Sequence, residues 1–214
     1  MGKTMHISII DYKMSNMFSI KNALDSLGYS SEITSNEKKI LSSDGSVLPG
    51  VGSFPEAMNH LHKLNLVEVI KEFVISGKPF MGICLGLQLL FNRSEEFESY
   101  KGLGIIDGTV EGLSKYPTID RVPHVGWNTV KINSLTKQNL SYRSSKIRLD
   151  NNEYYYFVHS YFVNPENKDD IFTTTKYGGI EFCSSIARDN VFASQFHPEK
   201  SGAKGIKLLR EFFN

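Results

Sequence analysis

The string Gly82-Ile83-Cys84-Leu85-Gly86 constrains the fold more than any other part of the sequence. A compact apolar stretch, 79–83, precedes it and an apolar run, 85–91, follows, so a strand is expected to pass directly into a helix. A small residue two positions either side of the cysteine permits a sharp strand-to-helix turn, which lifts Cys84 above the end of a sheet. The unpaired amides at the start of that helix favour negative charge. They would stabilise a thiolate, and the Leu85 N–H would help stabilise an oxyanion. Read alone, Cys84 is equally compatible with an inert core cysteine, because free cysteines are commonly buried as packing.

Similar units surround this turn. Residues 6–10 read as a short apolar strand entering a polar loop at 11–16. Ile20, Ala23, Leu24 and Leu27 then recur at helical spacing over 17–27, with Gly28 positioned to end the helix. Strands are expected at 32–34 and at 46–48, the latter running into Pro49-Gly50-Val51-Gly52. Residues 65–75 fit a further helix that stops before Gly77. Alternating strands and helices imply an α/β sheet covered by helices, with chemistry outside the carboxyl ends of the strands. The turns at 50–52 and 82–86 then share one edge. The stretches 102–112, 122–132 and 154–163 read as strands or loops that add antiparallel structure. Residues 181–186 and 191–196 form a hairpin, and 203–213 a final helix.

With 214 residues and no repeat or linker, the sequence is expected to form one domain, 1–214. A formal charge of +1 argues against a nucleic-acid binder, and 40% apolar residues support a packed interior. No apolar run reaches about 18 residues and the opening lacks a secretory signal, so a cytoplasmic protein without a membrane role is expected. Cys84 and Cys183 allow one bridge at most. His60 and His62 have no further ligands nearby, and no phosphate-binding loop sequence occurs, so neither a metal nor another cofactor is expected.

A second reactive pattern lies at Gln195-Phe196-His197-Pro198-Glu199. In an extended segment alternate side chains share a face, so His197 and Glu199 can point together, and Pro198 stiffens the backbone between them. His197 can then exchange a proton with Cys84 while Glu199 fixes its tautomer. The competing reading makes both residues part of a charged surface turn. Pro49-Gly50-Val51-Gly52 is either an ordinary turn or a source of backbone N–H donors for an oxyanion, with glycine allowing the peptide to switch conformation.

Five segments, LPGVG (48–52), GICLGLQLL (82–90), PHVGWN (123–128), FVHSY (157–161) and QFHPEKSG (195–202), together resemble the glutamine amidotransferase subunits of imidazole glycerol phosphate synthase, within the class I, triad-type amidotransferases. The similarity runs from about residue 7 to the carboxyl terminus. It implies a flavodoxin-like three-layer α/β/α fold with a mixed central sheet. It also implies a catalytic triad of Cys84, His197 and Glu199 and an oxyanion hole from the Val51 and Leu85 amides, supported by Gly50 and Gly52. The glutamine contacts it implies are Gly52, Gln88, Ser160 and Tyr161, and the partner-facing residues are Trp127 and Asn128. The implied partner is a cyclase subunit with a (β/α)8 barrel, joined in a heterodimer. The resemblance further implies that L-glutamine is hydrolysed through a cysteine thioester and that ammonia crosses to the cyclase, which makes imidazole glycerol phosphate and aminoimidazole carboxamide ribonucleotide in histidine biosynthesis.

The sequence departs from the usual family pattern at Lys13 and Ser15, where glycines are common, and at Ser194, Leu87 and Val125. These departures leave two alternatives. One is a paralogous subunit supplying ammonia for surface-sugar amination, with Lys13 and Ser15 tuning its interface. The other is a catalytically silent regulatory subunit that keeps the fold.

Overall fold

The computed structural model describes residues 4–14, 17–133 and 146–214; Ser15 and Asn16 lie outside the described residues. The first part of the chain alternates as its apolar spacing requires, through β1 (His6–Ile10), α1 (Met17–Ser26), β2 (Ser30–Thr34), α2 (Glu37–Ser42), β3 (Gly45–Leu48), α3 (Phe54–Lys63), α4 (Leu66–Ile75), β4 (Phe80–Ile83) and α5 (Leu85–Leu89). A strand-rich part follows, with β5 (Phe91–Ser94), β6 (Tyr100–Lys101), β7 (Ile106–Gly112), β8 (His124–Ile132), β9 (Glu153–His159), β10 (Tyr161–Pro165), β11 (Ile171–Tyr177), β12 (Ile180–Arg188) and β13 (Val191–Ser194). Helix α6 (Gly202–Phe213) comes last.

Strands β2-β1-β3-β4-β13 are parallel neighbours in that order, the flavodoxin-like arrangement. Beyond β13 the sheet becomes mixed. β12 pairs antiparallel with β13, β10 antiparallel with β12 and β7, and β5 parallel with β7. An antiparallel extension runs from β12 through β11 and β8 to β9.

Every residue of β3 and β4 is buried, as expected of strands covered on both faces. Phe80 packs with Phe54, Leu61, Ile70 and Phe73 of α3 and α4 on one side. Met81 and Ile83 pack on the other with Ile20 and Leu24 of α1 and Leu208, Leu209 and Phe212 of α6. This alternation builds three layers. α1 buries Ile20, Ala23 and Leu24, and Gly28, at φ +84, releases the chain after it. Among the described residues no helix is long and apolar enough to cross a membrane.

Three sequence expectations differ from the fold. The helix after Cys84 ends at Leu89 rather than running to Phe91, because Phe91 pairs with Ile106 in the sheet. Its run of buried residues has no polar face, so periodicity could not mark that end. The stretch 154–163 is two strands broken at Ser160, since β9 pairs with β8 while β10 pairs with β7 and β12. Helices α2 and α3 were not expected at all, although Asn36 caps the first by accepting from Lys39 N and Pro55 opens the second.

Candidate active site

Cys84 stands at the junction of β4 and α5 with φ 54 and ψ −110, a conformation that costs a non-glycine residue of order 1–3 kcal/mol. Its neighbours explain how the turn is held. A methyl on Gly86 would sit 1.8 Å from Leu48 O, and one on Gly82 would sit 2.9 Å from both Ala193 Cβ and Gly86 O. Only glycine permits β3, β4 and α5 to approach this closely. The Cys84 N–H donates to Ser194 O at 2.7 Å, tying the turn to the end of β13. Leu85, as the first residue of α5, has an N–H without an intrahelical acceptor.

β13 pairs in register with β4, Ser194 beside Ile83, so the chain leaving β13 emerges next to the cysteine. His197 follows three residues later. Its Nδ1 lies 2.8 Å from Glu199 Oε1, and both side chains are almost wholly buried. The expected pairing is present, but the backbone between the two is a 3-10 turn, Pro198–Lys200, rather than an extended strand. The turn brings side chains two apart onto one side and is held by Ser201 Oγ donating to His197 O.

Burial opposes charge on His197, but Cys84 and Glu199 together outweigh it and push its pKa up to about 10. Nε2 of His197 and Oε2 of Glu199 make no formed hydrogen bond among the described residues. Nε2 is therefore unspent beside the sulfur, a looseness common in catalytic pairs before substrate binds. The Cys84 thiol donates to Val158 O and accepts from Gln195 Nε2, both at 3.7 Å. Cys183 is a separate buried free thiol whose pKa burial pushes up.

A cavity of about 310 Å³ opens over Cys84 and His197, with Val51, Gly52, Leu85, Gln88, Ser160 and Tyr161 also on its walls. All the residues expected at the nucleophile, the oxyanion site and the glutamine site thus converge, apart from Gly50 and Glu199 on the adjoining hollow behind His197. A larger hollow of about 500 Å³, beside Lys71, Arg188 and Asn190, has no cysteine, serine, threonine or histidine on its walls. Among the described residues no cluster of three or more His, Cys, Asp or Glu side chains is arranged to hold a metal.

The Val51 N–H, expected from the sequence at an oxyanion site, donates instead to Met14 O at 3.0 Å in this conformation. Tyr12 Oη donates to Pro49 O at 2.8 Å, and a methyl on Gly50 would lie 2.2 Å from that phenol oxygen. Gly52 adopts φ +98, and Val51 itself is 45% exposed. Gln88 Nε2 donates to Tyr161 O and to Gln195 Oε1, while the Ser160 carbonyl accepts from Leu113 N.

Glu96, which sequence reasoning passed over, also lines the cavity. Burial raises its pKa, partly offset by the Phe54 N–H that donates to Oε2 at 2.7 Å. Trp127 is 55% exposed on β8, near exposed Val125 and Tyr154 and edge-on to Tyr156. The Asn128 amide is turned inward, donating to Lys176 O and to His124 Nε2.

The family profile described as glutamine amidotransferase class-I matches residues 8–214. The imidazole glycerol phosphate synthase subunit HisH of Caldanaerobacter subterraneus subsp. tengcongensis is 46% identical over 206 residues, 96% of either chain. That of Aquifex aeolicus is 46% identical over 211 residues, 97% of this chain and 96% of the relative. Among solved structures, PurLQS from Thermotoga maritima shares the fold with a TM-score of 0.71 at 17% identity, covering 99% of each chain. Matched over nearly its whole length, the chain belongs to the class-I glutamine amidotransferases, and within them to the HisH subunits of imidazole glycerol phosphate synthase.

Proposed function

We propose that Cys84, His197 and Glu199 are the catalytic triad by which this subunit of imidazole glycerol phosphate synthase hydrolyses L-glutamine, its ammonia being channelled into histidine biosynthesis. The observation that carries the residue assignment is the Cys84 turn facing a buried His197–Glu199 pair inside one cavity. His197 held protonated near neutral pH is the cation that a thiolate nucleophile requires beside it.

The Cys84 sulfur attacks the glutamine carboxamide carbon and forms a C–S bond. His197 then gives its proton to the departing nitrogen as the C–N bond breaks, releasing ammonia. Water, deprotonated by His197, attacks the thioester; the C–S bond breaks, glutamate leaves and the starting thiolate and imidazolium return. Glu199 holds the imidazole in register and supports its charge. Gln88 and the backbone at Gly52, Ser160 and Tyr161 bind the amino-acid end of the substrate. Glu96 is the carboxylate suited to its ammonium group.

The oxyanion is bound by Leu85 N–H and by Val51 N–H after the Gly50–Val51 peptide turns away from Met14 O. A partner docking over the exposed Val51 and Trp127 would favour that turn. The partner is a cyclase with a (β/α)8 barrel, forming a heterodimer.

The test is to pair the protein with its cyclase and supply glutamine and the formimino ribonucleotide. Stoichiometric glutamate, imidazole glycerol phosphate and aminoimidazole carboxamide ribonucleotide are expected, with glutamate abolished and partner binding retained in Cys84→Ala. Undiminished glutamate from that variant would assign the chemistry to another nucleophile.

A further inference from the structure

His124 and His159 are buried, lie outside the triad and meet ring to ring, with His124 Nδ1 2.9 Å from His159 Nε2. The direction of every hydrogen bond around them is fixed from both ends. The Thr129 N–H donates to Asn128 Oδ1 at 2.8 Å, which identifies the other amide atom as the nitrogen. That nitrogen donates to Lys176 O at 3.0 Å and to His124 Nε2 at 3.2 Å, so His124 Nε2 is an acceptor. A neutral His124 then carries its proton on Nδ1 and donates to His159 Nε2. His159 in turn carries its proton on Nδ1 and donates to the Tyr161 carbonyl at 2.9 Å, an atom that can only accept.

The same carbonyl accepts from Gln88 Nε2 at 3.0 Å. Gln88 Nε2 also donates to Gln195 Oε1 at 3.1 Å, which leaves Gln195 Nε2 as the donor to Cys84 Sγ at 3.7 Å. Both histidines must be neutral for this order to hold. Burial depresses His124 to about 4 and His159 to about 3, the second further lowered by His124 and partly restored by the Tyr161 carbonyl. The His124 ring is stacked on Tyr177 at 4.0 Å and on Phe157 at 4.9 Å between centroids, so its plane is set by packing.

We propose that Asn128, His124 and His159 fix the Tyr161 carbonyl, onto which Gln88 also donates, and so hold Gln88 in place and through it aim the Gln195 amide at the Cys84 sulfur. His124 and His159 are thereby positioning residues linking β8 to the nucleophile. His159 and Gln88 converge on one carbonyl, so the link is one of position, and the Gln195 N–H it places meets the sulfur as charge builds and collapses on it. The network begins at Asn128, next to exposed Trp127 on β8.

The inference rests on the glutaminase reading only for its kinetic test. In the complex with the cyclase, His124→Phe keeps the aromatic stack but leaves His159 Nε2 without its donor. Expected is a fall in kcat of about 2- to 10-fold, the worth of one net hydrogen bond. Iodoacetamide alkylation of Cys84 in the isolated chain at pH 7 should slow by a similar factor. His124→Asn, whose amide N–H replaces the Nδ1 donor, should recover most of both. Two-bond nitrogen–proton NMR spectra should show His124 and His159 as Nδ1–H tautomers in the unaltered protein.

Unchanged kcat and alkylation in folded His124→Phe would overturn the proposal, as would an Nε2–H tautomer at either histidine. If His124→Phe does not fold, the tautomers in the unaltered protein decide alone. A complex that makes no glutamate would refute the glutaminase reading instead, leaving alkylation and the spectra to judge the network.

Discussion

Gly86→Ala tests whether the packing of the Cys84 turn against β3 sets the catalytic geometry. The added methyl would lie 1.8 Å from Leu48 O and 2.8 Å from Leu48 C, both backbone atoms that no rotamer change can move aside. Ordinary contact begins near 3.4 Å, so about 1.6 Å of separation must come from displacement of β3 or of the turn. If β3 gives way, the shift passes into Pro49 and Val51; if the turn gives way, it moves Cys84. Overpacking of this kind costs about 1–3 kcal/mol of stability. A misplacement of about 1 Å at a reacting centre costs roughly 10²-fold in rate. The measurements are kcat for glutamate release by the complex and the urea midpoint of the isolated chain. Gly112→Ala is the control, because its methyl meets nothing closer than 3.3 Å, the Tyr161 ring. A Gly86→Ala protein with both the original kcat and the original midpoint would show that the close approach at Leu48 does not position the nucleophile.

If the Val51 N–H is an oxyanion donor, the isolated chain, in which it is spent on Met14 O, should release glutamate roughly 10² to 10³ times more slowly than the cyclase complex with its acceptor site filled; equal rates would remove the need for loop rotation. Trp127→Ala should weaken binding of the cyclase by about 2 kcal/mol, since exposed aromatic side chains are typical anchors. Titration calorimetry reads that loss, and unaltered affinity would move the interface elsewhere. Stability should fall as the pH drops below 6.5, where unfolded histidines take up protons that burial denies to His124 until about pH 4 and to His159 until about pH 3. Urea midpoints between pH 7 and 4.5 should slope less steeply in His124→Phe, and identical slopes would contradict the neutral pair.

The Cys84 turn could be read from sequence because its requirement is a backbone one, glycine at two fixed offsets, and the fold meets it with contacts that exclude any side chain at Gly86. His197 and Glu199 could be paired from spacing alone, although a 3-10 turn rather than an extended strand joins them. Glu96 was hidden because it stands among Glu95 and Glu98 in a stretch that reads as solvated surface, and only the approach of the Phe54 N–H marks it. The roles of Gln195 and His159 depend on partners far away in sequence, and no local pattern carries that information. The split of 154–163 was illegible for the same reason, since the two halves are apolar alike but answer to different neighbouring strands.

The pairing of β4 with β13 has a consequence for how this chain can vary. Val191, Phe192, Ala193 and Ser194 lie beside Phe80, Met81, Gly82 and Ile83, so Cys84 and His197 leave the same end of two neighbouring strands held in register by four rungs. The 112 residues of sequence between Cys84 and His197 bear on that arrangement chiefly through β9, where Tyr156 O accepts from the His197 N–H, and by returning the chain to the same rung. Lengthening or exchanging loops in that interval away from Tyr156 should therefore leave the distance between Cys84 and His197 untouched. A single-residue slip between β13 and β4 would instead carry His197 out of reach and turn the buried face of β13 inside out. Connections in that interval that do not touch the cavity are the part open to remodelling for new acceptors and new neighbours, while the paired ends of β4 and β13 keep Cys84 and His197 together.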